Sequence, residues 1–212
     1  MLQYETVPVT AFEQNCSIVW CDETMAAAVI DPGGDLPRIT AAAARRGVTL
    51  QAIWITHAHI DHAGGAAALA RQLAIPIIGP HPGDQFWIDA LAEQGRRFGL
   101  PPSEPFTPAR WLHDGDTVSI GHCTLNVRHC PGHTPGHVVF HSPQARRAFV
   151  GDVLFAGSIG RTDFPQGNHA ELIRSITERL WPMGDDTVFI PGHGPESTFG
   201  RERRTNPFVG GT

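Results

Sequence analysis

Lysine is absent from the 212-residue sequence: all sixteen basic residues are arginine. A lysine Schiff base and a lysine nucleophile are therefore excluded. Cysteine is scarce, with four residues between Cys16 and Cys21 and six between Cys123 and Cys130, spacings that match neither a CxxC redox pair nor a zinc ribbon. Reduced thiols are expected, not a disulfide framework. No uninterrupted apolar run approaches the ~20 residues that span a bilayer. The opening "MLQYETVPVT" lacks the basic, apolar and small-residue segments of a secretory signal. A soluble, cytoplasmic protein is expected, with no membrane partner. Charged residues make up 17%, the net charge is −5 and the longest basic cluster is "RERR" at 201–204, so no nucleic-acid partner is expected either.

Histidine is what the chain has in quantity, twelve in all. In "THAHIDHAGG", residues 56–65, three of them, His57, His59 and His62, fall with Asp61 inside six positions. The elements around this run explain its placement. Strands are expected at 2–9, 16–21 and 26–31, followed by a helix in "DLPRITAAAARRG", with Asp35 placed to cap, Pro37 in the first turn and Gly47 as the stop. "LQAIWIT" is a buried strand that delivers the chain into the histidine run, "GGAAALARQL" a helix and "IPIIGP" another strand. This crossover pattern puts the cluster at the C-terminal end of a strand, where α/β sheets carry their sites. Residues 83–99 read as helical and 100–110 as a proline-rich loop. Strands follow in "TVSIG", "CTLNVRHC", "HVVFHS", "RRAFVGD" and "DTVFIPG", with a helix over about 169–181. Several strands in direct succession in each half predict an α/β protein of two mixed sheets packed face to face with helices outside, in one domain spanning 1–212.

His57 and His59 are two apart on a segment leaving a strand, so they can share one ion. Asp61 and His62 follow as the chain turns into a helix and need not face the first pair, which makes a second ion natural. Imidazole and carboxylate ligands suit zinc, iron or manganese. One loop cannot close a site, so ligands are expected at other strand ends, and His133 in "CPGHTPGH", Asp152 in "FVGDVLF" and His193 in "FIPGHGP" supply them. His113, His122 and His169 read as ordinary polar residues, and His137 as structural or as support behind the ligands.

HxHxDH, a later GHTPGH, an Asp after GD and a His in PGHG together resemble the metallo-β-lactamase superfamily along essentially the whole chain. The resemblance implies an αββα sandwich. It further implies that His57, His59 and His133 hold one metal and Asp61, His62 and His193 a second, with Asp152 bridging both. Within the superfamily, "VIDPGGD", "GSIGRTDFPQGN" and "IPGHGPESTFGRERRTNPF" resemble the small bacterial glyoxalase II-like hydrolases. This implies hydrolysis of S-lactoylglutathione, a glutathione thioester, with two divalent ions, zinc first and iron or manganese next. Larger glyoxalase II enzymes carry a helical C-terminal glutathione-binding domain, whereas 19 residues follow His193 here, so no such domain is expected.

The expected mechanism is attack on the thioester carbonyl by a hydroxide shared between two metals, with Asp152 as bridge and Asp61 as ligand and orienting acceptor. Arg161 borders the expected cleft and could bind a substrate carboxylate, or pair with Asp163 to brace the loop. The second role is favoured. The rival enzyme class is a mononuclear iron persulfide dioxygenase, a related family sharing "GRTDF"; His193 tips the balance to a hydrolase. Lactonase or other acyl hydrolase activity is a lesser alternative, and oligomeric state and the part played by Cys130 are not readable from sequence.

Overall fold

The computed structural model describes residues 1–211. The chain forms two mixed sheets. The first has the order β1-β2-β3-β4-β5, built from β1 (Leu2–Val9), β2 (Gln14–Cys21), β3 (Ala26–Ile30), β4 (Thr49–Trp54) and the two-residue β5 (Ile77–Ile78). The second has six strands. From edge to edge its first part runs β13 (Ser197–Thr198), β12 (Val188–Pro191) and β9 (Arg147–Gly151). It continues through β8 (Val138–Ser142), β7 (Cys123–His129) and β6 (Thr117–Ile120). A small hairpin, β10 (Leu154–Phe155) with β11 (Ser158–Ile159), stands apart.

Three apolar clusters explain the layering. Between the sheets lie Val19, Ala28, Ile30 and Trp54 from one and Leu125, Val127, Phe140 and Ile190 from the other. On the outer face of the first sheet, Ile18, Val29 and Ile53 pack against Ile39, Ala42 and Ala43 of α1 (Leu36–Arg46) and Ala66 and Leu69 of α3 (Ala66–Leu73). On the outer face of the second, Val139, Ala148 and Phe189 meet Leu172 of α6 (His169–Arg174) and Phe199 of α7 (Phe199–Thr205). Strands buried on both faces read as continuous apolar runs, as "AAAVI" of β3 does, while β6 alternates exposed and buried as an edge strand should. This is the expected αββα sandwich.

Several boundaries differ from the sequence reading. The histidine run already contains a helical turn, α2 (Ile60–Ala63), separate from α3, and residues 83–99 split into α4 (Gln85–Asp89) and α5 (Leu91–Phe98). The helix expected over 169–181 is α only to Arg174 and continues as a wider π-type turn over Ser175–Leu180. Asp35 does not cap α1: it sits at φ 48° without a side-chain cap bond, and its carboxylate instead accepts from Thr10 N at 2.8 Å, tying down the turn after β1. The stop at Gly47 holds, with φ 66° and its N–H bonded to Ala43 and Ala44 carbonyls. All four cysteines are buried free thiols, and burial pushes the Cys130 thiol up to about 12. Among the described residues no helix is long and apolar enough to cross a membrane.

Candidate metal centre

Parallel pairing explains why distant ligands meet. β3 runs parallel to β4 in one sheet and β9 parallel to β12 in the other, so within each sheet two strands end at the same edge. Past those ends come Asp31, then His57, Asp152 and His193, while β7 runs on into the loop bearing His133. The two edges are laced together: Asn15 N of the first sheet donates to Gly192 O of the second at 2.7 Å, and Val138 N of the second to Thr56 O of the first at 2.8 Å. Two glycines allow the approach. A Cβ on Gly33 would stand 1.5 Å from the Asp61 carbonyl oxygen, and one on Gly192 would stand 2.1 Å from Asp152 Oδ1.

All seven sequence-predicted ligands converge here. His57, His59 and His133 form one group and Asp61, His62 and His193 another, the donor atoms of each lying within 4.8 Å of one another. In the first, His133 Nδ1 donates to Arg161 O at 2.7 Å, which leaves the Nε2 lone pair facing His59 Nδ1 at 3.0 Å. In the second, His193 Nε2 lies 3.1 Å and His62 Nε2 3.6 Å from Asp61 Oδ2. Asp152 stands between the groups, with Oδ2 3.6 Å from His133 Nε2 and 3.8 Å from His193 Nε2, and Oδ1 3.3 Å from His62 Nε2.

The electrostatics of the groups differ. Burial, reinforced by neighbouring imidazoles, lowers the pKa of His57 and His59 well below the usual value, and burial also lowers His133, so all three present neutral lone pairs. At His62 and His193 burial also opposes the charged form, but Asp152 and Asp61 outweigh it and raise both. Asp152 is held well below the carboxylate range, burial being overcome by His62, His133 and His193.

Whether these residues fit metal ions can be tested on unpartnered atoms. His57 Nε2 and His62 Nε2 are buried without a hydrogen-bond partner, as is Asp152 Oδ1. A buried polar atom left unpaired costs on the order of 1–3 kcal/mol, so a cluster of them facing one spot fits cation binding. Three neutral imidazoles, and beside them two imidazoles with carboxylates, are donor sets suited to zinc, iron or manganese.

Supporting residues were partly missed by the sequence reading. Asp31, buried and at φ 53°, accepts from Thr56 N at 2.7 Å and its Oδ2 lies 2.9 Å from His62 Nδ1, which aims His62 Nε2 inward. Asp84, fully buried, accepts from Ala58 N (2.9 Å), Thr134 Oγ1 (2.9 Å) and Gly136 N (2.6 Å), tying the loop of His57 and His59 to that of His133. Burial pushes its carboxyl up to about 6 against those three donors. Gln94 accepts from Ile60 N at 3.1 Å behind the same loop. A carboxylate ending a strand in "VIDPGG" was a usable signal for Asp31; Asp84 and Gln94 bond partners 26 and 34 residues away and gave none. His137 plays the supporting part expected: its Nε2 accepts from Asp152 N at 3.1 Å and its ring stacks on His57. His113, His122 and His169 join no ligand group. The Arg161 guanidinium is engaged by Asp163 through two bonds of 2.6 and 2.7 Å and lies 4.3 Å over the Phe164 ring.

A cavity of about 670 Å³ opens over His59, Asp61, His133, Asp152 and His193. Its walls are largely aromatic, including Phe86, Trp87, Phe155 and Phe164, with Glu93 and Arg97 of α5 at one side.

Comparison with known proteins agrees with this construction. The chain is 44% identical over 209 residues to the hydroxyacylglutathione hydrolase GloC of Haemophilus influenzae, covering 98% of each chain. Among solved structures it superposes on the B3 metallo-β-lactamase BLEG-1 with TM-score 0.90 and 34% identity, over 99% of this chain and 100% of that one. A di-iron-bound form of TTHA1623 matches with TM-score 0.88 and 36% identity, over 97% of this chain and 100% of that one. The family profile of the metallo-β-lactamase superfamily matches residues 9–193, which run from the end of β1 to the last of the seven converging side chains. The chain belongs to the metallo-β-lactamase superfamily.

Proposed function

We propose that this metallo-hydrolase cleaves acyl thioesters of glutathione, S-lactoylglutathione foremost, using two divalent ions held by His57, His59 and His133 on one side and Asp61, His62 and His193 on the other. The observation that carries the reading is the position of Asp152, whose two carboxylate oxygens reach imidazoles of both groups. The similarity to a hydroxyacylglutathione hydrolase across 98% of the chain supports the substrate class. When bound, the ions would lower the pKa of a shared water toward neutrality and polarise the thioester carbonyl.

The protein's own part is positional. Asp152 joins the two ligand groups and is itself aimed by His137 through its backbone N–H. Asp61 lies next to His193 with one carboxylate oxygen, and in this reading it also orients the attacking water. Asp31 and the Arg161 carbonyl fix which nitrogen of His62 and His133 faces the centre. The aromatic walls exclude bulk water from the carbonyl, which strengthens every charge interaction there. Zinc fits the donor set; iron is the second choice, consistent with the di-iron relative.

The test is metal analysis of the purified protein combined with a panel of acyl thioesters. Two metals per chain with turnover of S-lactoylglutathione is the expected result. One iron per chain, no thioester hydrolysis and oxygen consumption with glutathione persulfide would replace the reading with a dioxygenase.

A further inference from the structure

The cavity over the ligands has two arginines on its wall, and they are in opposite states. Arg161 is neutralised by the two-bond pair with Asp163. Arg97 is not: among the described residues no carboxylate lies within ion-pairing distance of it, and its one aromatic contact is with the neighbouring Phe98 ring at 5.9 Å. Glu93, one turn earlier on α5, is likewise without a hydrogen-bond or ion-pair partner among the described residues, and it too lines the cavity. Positions 93, 94, 97 and 98 follow the helical repeat, so Glu93 and Arg97 present a carboxylate and a guanidinium side by side on the cavity face of α5. Residues spaced i, i+4 with opposite charge commonly pair with each other. Here they remain apart, at the wall of a binding cavity.

The helix is also held at a set distance from the reacting centre. Gln94, between the two, is bonded to Ile60 N and Ala58 O of the ligand loop. Arg97 lies three residues further, about 4.5 Å along the axis at 1.5 Å per residue. A free cation and a free anion at that remove match a substrate end that is itself a zwitterion. Building on the thioesterase reading, we propose that Glu93 and Arg97 recognise the γ-glutamyl end of glutathione, Glu93 accepting from its ammonium and Arg97 donating to its α-carboxylate. Other carboxylates near the centre, Asp61 and Asp152, face ligand histidines and leave no second anchor for an ammonium there.

The test reads binding, so it stands apart from hydrolysis. S-methylglutathione, a thioether that cannot be hydrolysed, and S-methylcysteinylglycine, which lacks the γ-glutamyl group, are titrated calorimetrically against metal-loaded wild-type protein, Arg97→Gln and Glu93→Gln. Wild-type protein should prefer S-methylglutathione by about tenfold, the scale of a solvent-exposed charge-assisted contact. In each variant that preference should fall to about twofold or less, a non-additive cycle. Equal affinities in the wild type, or a preference undiminished in both variants, overturns the assignment. So does a cycle in which Arg97 couples instead to the glycine carboxylate, read by comparing S-methylglutathione with γ-glutamyl-S-methylcysteine, which lacks the glycine. If binding behaves as proposed but S-lactoylglutathione is not turned over, the thioesterase reading falls and the glutathione site stands; the reverse result separates them the other way.

Discussion

The two halves of the metal centre lie side by side and are built differently. His57, His59 and His133 are 0%, 6% and 2% exposed, and burial lowers the pKa of each, so the first group is a dry set of neutral donors. The His193 side chain is 31% exposed and that of Asp61 17%, and the imidazoles of the second group are raised by carboxylates. The first group is therefore the drier of the two, with His59 wedged against Trp87 and Phe164. Both groups reach the cavity, the first through His59 and His133 and the second through the more exposed Asp61 and His193, while His57 and His62 lie buried behind them. One is held by packing and the other by charge, and Asp152 is the residue they share.

Removing that shared residue should have the largest consequence. Asp152→Ala is expected to lose at least one of two metals and about a thousandfold or more in thioesterase rate, since the loss of Lewis-acid stabilisation is worth several kcal/mol. Elemental analysis with steady-state kinetics checks it, and a variant with two metals and near wild-type turnover would remove Asp152 from the centre. Asp84→Asn comes next. It cannot accept all three donors, so affinity for the ion of the first group should fall about 10- to 100-fold, as for other supports behind metal ligands, with a smaller change for the second. Competition against a graded chelator series measures both affinities, and equal losses would show that Asp84 does not act on one group in particular.

The packing-versus-charge contrast can be probed in metal-free protein by urea unfolding. His59→Ala should cost about 2 kcal/mol through lost packing under Trp87 and Phe164, and His193→Ala about 0.5 kcal/mol, within the usual range for buried and peripheral sites. A reversed order would mean that the first group is not part of the core. The smallest effect is expected from Arg161→Ala. The carbonyl that fixes His133 survives the change, and the exposed pair with Asp163 is worth about 0–1 kcal/mol. The Michaelis constant for S-lactoylglutathione should then stay within about twofold; a tenfold rise would return the substrate carboxylate to Arg161 and away from Arg97.

Much of the site was legible because its signals are local. "HAHIDH" concentrates ligand types within six positions, and His133, Asp152 and His193 each follow an apolar strand in a glycine-containing turn. The succession of strands along the chain and the helix ending at Gly47 were equally local. What was not legible depends on partners far along the chain. Asp35 looked like a helix cap because capping residues are recognised by their neighbours, yet its carboxylate is drawn off to Thr10 across the first sheet's edge. The π-type turn after Arg174 follows an ordinary helical sequence, and its Ile176 and Leu180 pack in the apolar cluster on the second sheet.

Composition and spacing by themselves determined the chemistry available: no lysine, abundant histidine, and carboxylates and imidazoles at successive strand ends. Only the tertiary structure decided which of them meet. His59 lies against His133 across 74 residues and Asp61 against His193 across 132, contacts made where the loop after β4 in the first sheet meets the loops after β7 and β12 in the second. The same packing left Glu93 and Arg97 free at the cavity wall, whereas Arg161 is engaged locally by Asp163 two residues on. Local spacing constrains residues within a turn or two; sheet register and the meeting of two sheets place everything farther apart.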